Sequence, residues 1–415
     1  MSFSPLEFVE KLSFVRYGGT PEERHAAELI RSGIEAAGGS AEFQEFRIPA
    51  SACTHCAVSV TEPFVRKLDV TPYGMCASVP APGRDLKFRY VEQGTQRDLL
   101  GLSDLSDSIV LVNALSRDAF RLLCERHAAA ILVITGKYYH TAEEAGIYGR
   151  NLRPKFLEFG DTPTFGITAR DAAELVRDGA AVLHVELTEE NGDTASQNVE
   201  AVIPGTGNGG EEIILTAHYD SVPIGTGSWD NATGSAALFG LYLHFLAHPA
   251  RRTLRFLWCG AEEQGLLGSK AYVEQHADTL DALKFCFNFD MCGTILGSNH
   301  IFVTGGKELE TFVDQYCRET GYSADIRTQV HSSDSAPFAD HGIPAIGLSR
   351  GTPSAEIHTS RDLLFPIGEA ALLKNIADFG GMVERVANAA VLPVDVGMPE
   401  EMKKELDRYF QRETK

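Results

Sequence analysis

The sequence predicts an α/β protein in which a mixed, mostly parallel central sheet is sandwiched by helices and interrupted by an inserted small β-rich domain. Three observations lead there. From about residue 196 onward, near-continuous apolar runs at 213–217, 253–259 and 285–290 alternate with helical segments. Strands that are apolar on both faces belong to a sheet covered on both sides. Between 51 and 195 the texture changes to shorter strands and longer polar loops. Finally, His, Asp and Glu recur just beyond the apolar strands, where open α/β sheets place their ligand sites. The expected organisation is therefore one domain made of 1–50 and 196–415, with a second domain at 51–195.

The elements follow in order. Ser4-Pro5 opens a short helix with Pro at its first position. Thr20-Pro-Glu-Glu23 is a capping box, and Gly38-Gly39 ends the helix it starts. A strand at 41–48 alternates in period two and is expected to stop at Pro49. In the inserted segment, strands are expected at 87–91, 109–112, 130–135 and 182–187, with helices at 116–127 and 168–178. Beyond it come strands at 199–203, 213–217, 253–259, 285–290, 300–303 and 343–348. Helices at 234–246, 268–276, 308–320 and 368–390 separate them. Pro399 opens a last charged helix whose Met402, Leu406, Tyr409 and Phe410 form a narrow apolar stripe, suited to packing on the core or to an oligomer contact. A homo-oligomer is thus one of the open expectations.

Bulk properties exclude several classes. Of 415 residues, 44% are hydrophobic and 23% charged, as in ordinary globular domains. A formal net charge of −20 leaves no basic patch for a nucleic-acid partner. The longest apolar stretch, 232–246, suits a buried core helix, so no membrane partner is expected. The first twenty residues lack a basic segment followed by an apolar one, and the eight cysteines are unpatterned. The expected location is cytoplasmic. Cys53-Thr-His-Cys56 is a lone C-x-x-C with no second pair at zinc-site spacing.

The chemistry-bearing residues lie at five places. His218 closes the run Ile213-Ile-Leu-Thr-Ala217, and Asp220, two residues on, can hold its imidazole N–H. Asp230 lies in the glycine-rich Gly225-Thr-Gly-Ser-Trp-Asp-Asn-Ala-Thr-Gly234, where Asp230 or Asn231 could equally cap the next helix. Glu262-Glu263 follows a third apolar strand; one acid can bind a metal while its neighbour reaches a water. Asp290 ends Phe285-Cys-Phe-Asn-Phe, a costly place for an unpaired carboxylate. His358 sits in a polar loop. Each signal is modest, but together they supply enough ligands for two divalent ions. A mixed N and O set without thiolate suits zinc, cobalt or manganese.

This combination resembles the co-catalytic di-zinc exopeptidases, the family of bacterial zinc aminopeptidases and glutamate carboxypeptidases. The matching motifs are Ala217-His-Tyr-Asp-Ser221, Trp229-Asp-Asn-Ala-Thr-Gly234, Gly260-Ala-Glu-Glu-Gln-Gly265, Asn288-Phe-Asp290, Ser333-Asp-Ser-Ala-Pro-Phe338 and Ile357-His-Thr359. The likeness covers 200–391 strongly and the first fifty residues loosely. The segment 51–195 is similar to a protease-associated domain, expected to act as a lid. The resemblance implies that His218 and Asp290 bind one metal and Glu263 and His358 the other. It implies that Asp230 bridges them, that Glu262 is the general base, and that Asp220 orients His218. Two positions depart from the pattern. Ser335 stands where many members have histidine, and Ile357 where several have an oxyanion-stabilising tyrosine; Tyr219, His331 or a lid residue could take the tyrosine's place.

The expected activity is a metal-dependent exopeptidase, with two ions about 3.5–4 Å apart activating a water and Glu262 moving its proton. An aminopeptidase acting on a peptide substrate is the leading form. Carboxypeptidase or dipeptidase action would need a cation clamp, for which Arg350 and Arg361 are near in sequence. The same scaffold would also accommodate amide deacylation, a single-zinc glutaminyl cyclase-like reaction, or a non-catalytic binding relative.

Overall fold

The computed structural model describes residues 3–141 and 150–412 and falls into two units. One comprises Met1–Phe46 with Ala195–Lys415, the other Arg47–Thr194. The expected cuts lay at 50/51 and 195/196. The first falls four residues earlier, inside strand Glu42–Glu62, which does not stop at Pro49 but continues for another thirteen residues. A proline removes one ladder donor without itself turning the chain.

In the first unit the central sheet runs, edge to edge, Ala324–Thr328, Ser298–Thr304, Ala345–Gly351, Leu283–Phe289, Asn208–His218, Arg252–Cys259, then the end of strand Val182–Ile203. Leu283–Phe289 and Arg252–Cys259 flank Asn208–His218, both parallel to it. Ala345–Gly351 is parallel to Leu283–Phe289. The ladders to Ser298–Thr304 and to residues 199–203 are antiparallel. The sheet is therefore mixed and mostly parallel.

Alternation along the central strands explains the layers. Ile213, Leu215, Phe256, Trp258, Phe285 and Phe287 point to one core, with Ala236, Leu241, Phe379 and Met382 from helices Thr233–Ala247 and Glu369–Asn388. Ile214, Leu257, Cys259 and Cys286 point to the opposite face, where Tyr272, Val273 and Phe338 cover them. Period-two side chains on strands buried on both sides produce the unbroken apolar runs.

The last helix, Glu400–Tyr409, packs on the unit itself. Met402 and Leu406 are buried against Ala339 and Met398. Glu405 accepts from the Val330 amide, and Arg412 pairs with Asp340. Its apolar stripe is thus an internal contact. Strand Ala324–Thr328 has no counterpart among the expected elements, because its half-exposed edge sequence carries no apolar run.

The second unit is rich in strands, and its two longer helices lie where the sequence placed them. Strands Val79–Tyr90, Ser108–Val112, Ala130–Thr135 and Thr164–Thr168 pair in parallel, in that order. Helices Arg117–Glu125 and Ala169–Arg177 follow two of them. Parallel neighbours require crossover connections, and Arg117–Glu125 lies in the one between Ser108–Val112 and Ala130–Thr135. Cys53 and Cys56 join no group of three metal ligands among the described residues. No described helix is long and apolar enough to cross a membrane.

One pH effect follows from this unit. When protonated, His184 donates through Nδ1 to Asp85 at 2.8 Å and through Nε2 to Glu186 at 3.2 Å. The two carboxylates raise its pKa above the usual histidine value. The group binds its proton more tightly folded than unfolded, so its contribution is complete below about pH 6.5 and lost as pH rises through the raised value. Its partner Asp85 is largely exposed, and solvent screening limits the effect to roughly 0–1 kcal/mol. Urea unfolding of the second unit should show slightly higher stability at pH 6 than at pH 8, and His184→Gln should flatten that slope. An unchanged slope in the variant would remove His184 as its source.

Candidate metal centre

The parallel strands deliver their ends to one edge of the sheet. Cys259 is in register with His218, Asn288 with Thr216, and Phe289 with Leu348. Continuing each strand by a few residues brings His218, Glu262-Glu263 and Asp290 together. His218 Nε2 lies 3.1 Å from Asp230 Oδ1 and 3.6 Å from Asp290 Oδ1. His358 Nε2 lies 3.1 Å from Asp230 Oδ2 and 3.2 Å from Glu263 Oε2. Two ligand groups result, His218–Asp230–Asp290 and Asp230–Glu263–His358, each with donor atoms within 4.8 Å of one another. Asp230 belongs to both, one oxygen facing each histidine.

These groups fit divalent cations. Asp290 Oδ1 and Glu263 Oε1 are buried and meet no hydrogen-bond donor among the described residues. Buried carboxylate oxygens are normally satisfied, and a cation held by either group would satisfy these two. The donor set is oxygen and imidazole without thiolate, which suits zinc with an open position. The two halves differ in access: the His218 side chain is 2% exposed, that of His358 44%.

Residues 198–379, which carry all five candidate ligands, match the model of Peptidase family M28. This segment is a family M28 peptidase domain. Aminopeptidase YwaD of Bacillus subtilis (strain 168) is 29% identical over 222 residues, covering 51% of this chain and 48% of that protein. Leucine aminopeptidase 2 of Arthroderma otae is 28% identical over 250 residues, covering 57% and 50%. The chain thus spans about half the length of the curated relatives it matches. Among solved structures, the zinc aminopeptidase BSAP from Bacillus subtilis superposes with a TM-score of 0.77 at 21% identity, covering 96% of this chain and 98% of that one. The aminopeptidase from Aneurinibacillus sp. strain AM-1 gives 0.75 at 24%, covering 94% and 96%. These superpositions show the α/β fold.

The ligands of the M28 domain are held by a layer of polar contacts. Asp220 Oδ1 lies 3.3 Å from His218 Nδ1. The same carboxylate accepts the amides of Glu262 at 3.0 Å and Glu263 at 3.2 Å. One buried acid therefore lies beside the histidine and holds the amides of the acidic pair. Asp362, four residues after His358, accepts the amides of Trp229 at 2.7 Å and Asp230 at 3.0 Å. Ser333 donates to Asp290 Oδ2 at 2.9 Å. Asn231 Oδ1 accepts from Gly234 N, as a cap would, and from Met291 N, while its amide donates to Phe289 O. Asn231 does the capping, which leaves the Asp230 carboxylate to face the two histidines.

Ala261 at φ 50° and Met291 at 58°, each beside a candidate ligand, and the candidate ligand His358 itself at 57° adopt left-handed backbone. Such conformations cost about 1–3 kcal/mol each and persist where the surroundings hold them. Ala261 is held by Glu23, whose carboxylate accepts its amide at 3.1 Å, the Gly19 amide at 2.6 Å and the Ser196 hydroxyl at 2.7 Å. Gly260 leaves room for this: a Cβ there would lie 2.7 Å from Glu23 Oε1 and 2.5 Å from Gln197 O. Glu23 reads in the sequence as a capping-box residue only; its long-range role has no local signal. Burial, with Asp220 nearby, pushes its carboxyl up to about 8.

Electrostatics around the ligands follow from crowding. Burial opposes charge on His358, but Asp230 and Glu263 outweigh it and push the imidazole up to about 11. Burial likewise opposes ionisation of Asp230, yet the two histidines hold it well below the usual carboxylate range. Glu263 is pushed up to about 7 by burial and by the Asp230 charge. Burial also drives Glu262 upward, against His218 and with Glu263. The set is rich in negative charge, as a dication site requires.

Two suggested roles do not stand. Tyr219 is fully buried, and its hydroxyl donates to Gln197 O at 2.7 Å and accepts from Gln197 Nε2 at 2.6 Å. It has no free donor for an oxyanion. Arg350 is committed to neighbouring oxygens, donating to the Thr294 carbonyl at 2.7 Å and to the Asn299 side-chain Oδ1 at 3.1 Å, so it is no free clamp for a substrate carboxylate. His331 stacks on Phe302 with centroids 3.8 Å apart. Ser335 is buried at the start of helix Ser335–Asp340, and Ile357 packs partly against the main core.

Proposed function

We propose that the chain is a two-metal exopeptidase that removes N-terminal residues from peptides. The observation that carries this reading is the sharing of Asp230 between two complete ligand groups. His218 and Asp290 would hold one ion, Glu263 and His358 the other, and Asp230 both. Zinc is the favoured metal, with cobalt or manganese as chemical alternatives. Bound there, the ions would polarise the scissile carbonyl and activate a water.

The chain's own residues supply the remainder. Glu262 takes the proton of the attacking water at its carboxylate and returns it to the leaving amine. Its raised affinity for a proton, caused first by burial, suits a group that must both accept and give one. Asp220 fixes the tautomer of His218 through Nδ1 and aims the Glu262 backbone. The free α-amine of a peptide is a cation and meets a carboxylate-rich site. The commitment of Arg350 elsewhere removes one of the two cations, Arg350 and Arg361, that could clamp a C-terminal carboxylate. The names of the relatives, aminopeptidase and leucine aminopeptidase, support the same reading.

The test compares an amino-acid anilide with its N-acetylated form on zinc-loaded protein. The free amine should be cleaved faster on the order of 100-fold, equivalent to ~2.7 kcal/mol. Equal cleavage of both would end the aminopeptidase reading.

A further inference from the structure

Arg16 is a fully buried cation that the mechanism above does not use. It lies between the first helix, Pro5–Leu12, and the second, Pro21–Ala36, about two hundred residues from the loops it touches. Its guanidinium donates only to carbonyls: Nε to Tyr219 O, Nη1 to Leu12 O at 2.6 Å, Phe14 O at 3.0 Å and Thr226 O, and Nη2 to Gly227 O at 2.8 Å. Its backbone is paired in both directions with Ser221, Arg16 N to Ser221 Oγ at 3.0 Å and Ser221 N to Arg16 O at 3.3 Å. Among the described residues no carboxylate forms an ion pair with it.

Buried charges are ordinarily paired, because desolvation alone costs several kcal/mol. Here the compensation is geometric and long-range. Tyr219 separates His218 from Asp220, and Thr226-Gly227 leads into Asp230. A planar fork with five donors can hold two loops in one fixed relation, which a point charge such as lysine cannot. Gly227, at φ +55°, lets the backbone come this close: a Cβ there would lie 3.0 Å from Arg16 Nη2 and 2.6 Å from Asp230 O. The charges of Asp220, Asp362, Asp230 and Glu263 favour the guanidinium from further away.

We infer that Arg16 is a positioning residue for the metal centre, locking the His218–Asp220 segment to the loop that presents Asp230 so that the bridging carboxylate stands ready before any ion binds. The inference rests on the two-metal reading. It acts through the backbone, and this separates it from a purely electrostatic role. A bare positive charge beneath the ligands would repel the ions, so removing it would tighten binding; a positional brace, when loosened, weakens binding.

The experiment uses the full chain with Arg16→Lys, which keeps the charge but loses the fork, and Arg16→Met, which keeps the stem and loses both. Zinc dissociation constants are measured by competition with a chelator, and amide hydrogen exchange of 218–231 is measured without metal. Both variants should raise the zinc dissociation constant by about tenfold or more, the usual scale for outer-shell partners. Exchange in 218–231 should accelerate in both, with strand Ala324–Thr328 unaffected. Leu309→Ala, a buried change in the remote helix Lys307–Thr320, serves as the stability control and should leave zinc affinity within about twofold. Unchanged or tighter zinc binding in Arg16→Met, or unchanged exchange in both variants, would overturn the inference. Failure of the parent chain to bind two ions would instead overturn the two-metal reading, while the exchange data would still decide whether Arg16 locks the loops.

Discussion

Replacing Glu262 by Gln is expected to lower kcat by roughly 10²–10⁴-fold, the range that a positioned proton-transfer group contributes. The amide keeps the size and the hydrogen-bonding backbone of Glu262, so its amide should still reach Asp220 and the two ligand groups should stand. KM and metal content should therefore change little. This split is the informative part. A loss of activity accompanied by loss of metal would mean that Glu262 is a ligand or a structural acid. A variant that turns over peptides as fast as the parent would remove Glu262 from the chemistry altogether. The acid pair itself offers a control, because Glu263→Gln should reduce metal content, whereas Glu262→Gln should not.

Replacing Asp230 by Asn should have the largest effect on the metal centre. Each oxygen of Asp230 faces a different histidine, at 3.1 Å in both cases. The amide removes one charge and turns one donor oxygen into an NH₂ group that cannot ligate. Both ligand groups lose a member at once, whereas Asp290→Asn or Glu263→Gln depletes one group only. Metal analysis after dialysis should fall from about two ions per chain to one or none, and the affinity loss should exceed the ~10–100-fold typical of outer-shell changes. The same loss should appear as weaker protection against thermal unfolding on adding zinc, since a ligand at 100 times its Kd stabilises by about 2.7 kcal/mol. Two ions retained at parental affinity would show that the shared position of Asp230 is not what assembles the centre.

Much of the architecture was legible because the central strands are buried on both faces. That condition writes itself into the chain as unbroken apolar runs, and 213–217, 253–259 and 285–290 all coincide with observed strands, the last ending one residue early at Phe289. Ser4 and Thr20 cap their helices as their local sequences indicate. Edge elements were not legible in this way. Ala324–Thr328 is half exposed and mixed in polarity, and strand Glu42–Glu62 passes through Pro49 despite the missing donor. The last helix could be seen as amphipathic, but only its contacts with Ala339, Val330 and Asp340 show where the apolar stripe goes.

Of the five candidate ligand positions, His218, Glu263 and Asp290 stand out locally as ionisable side chains at or just beyond apolar strands, whereas Asp230 and His358 lie in loops and gain weight only beside the other three. Their supports carry no such signal. Arg16 and Glu23 belong to an N-terminal segment whose sequence speaks only of helix starts, yet they hold carbonyls and amides some two hundred residues away. Asp362 looks like any acid in a polar loop until its two oxygens are found on the amides of Trp229 and Asp230.

By itself, the sequence determined which strands are central, where they end, and which imidazoles and carboxylates they carry there, since burial and periodicity are local properties of a chain. Only the tertiary structure showed that one oxygen of Asp230 lies against each histidine, that Tyr219 and Arg350 are committed elsewhere, and that Arg16 bonds to both loops. Those facts are distances between segments remote in sequence. Parallel pairing and the closing of long loops set them, and no local pattern of residues encodes them.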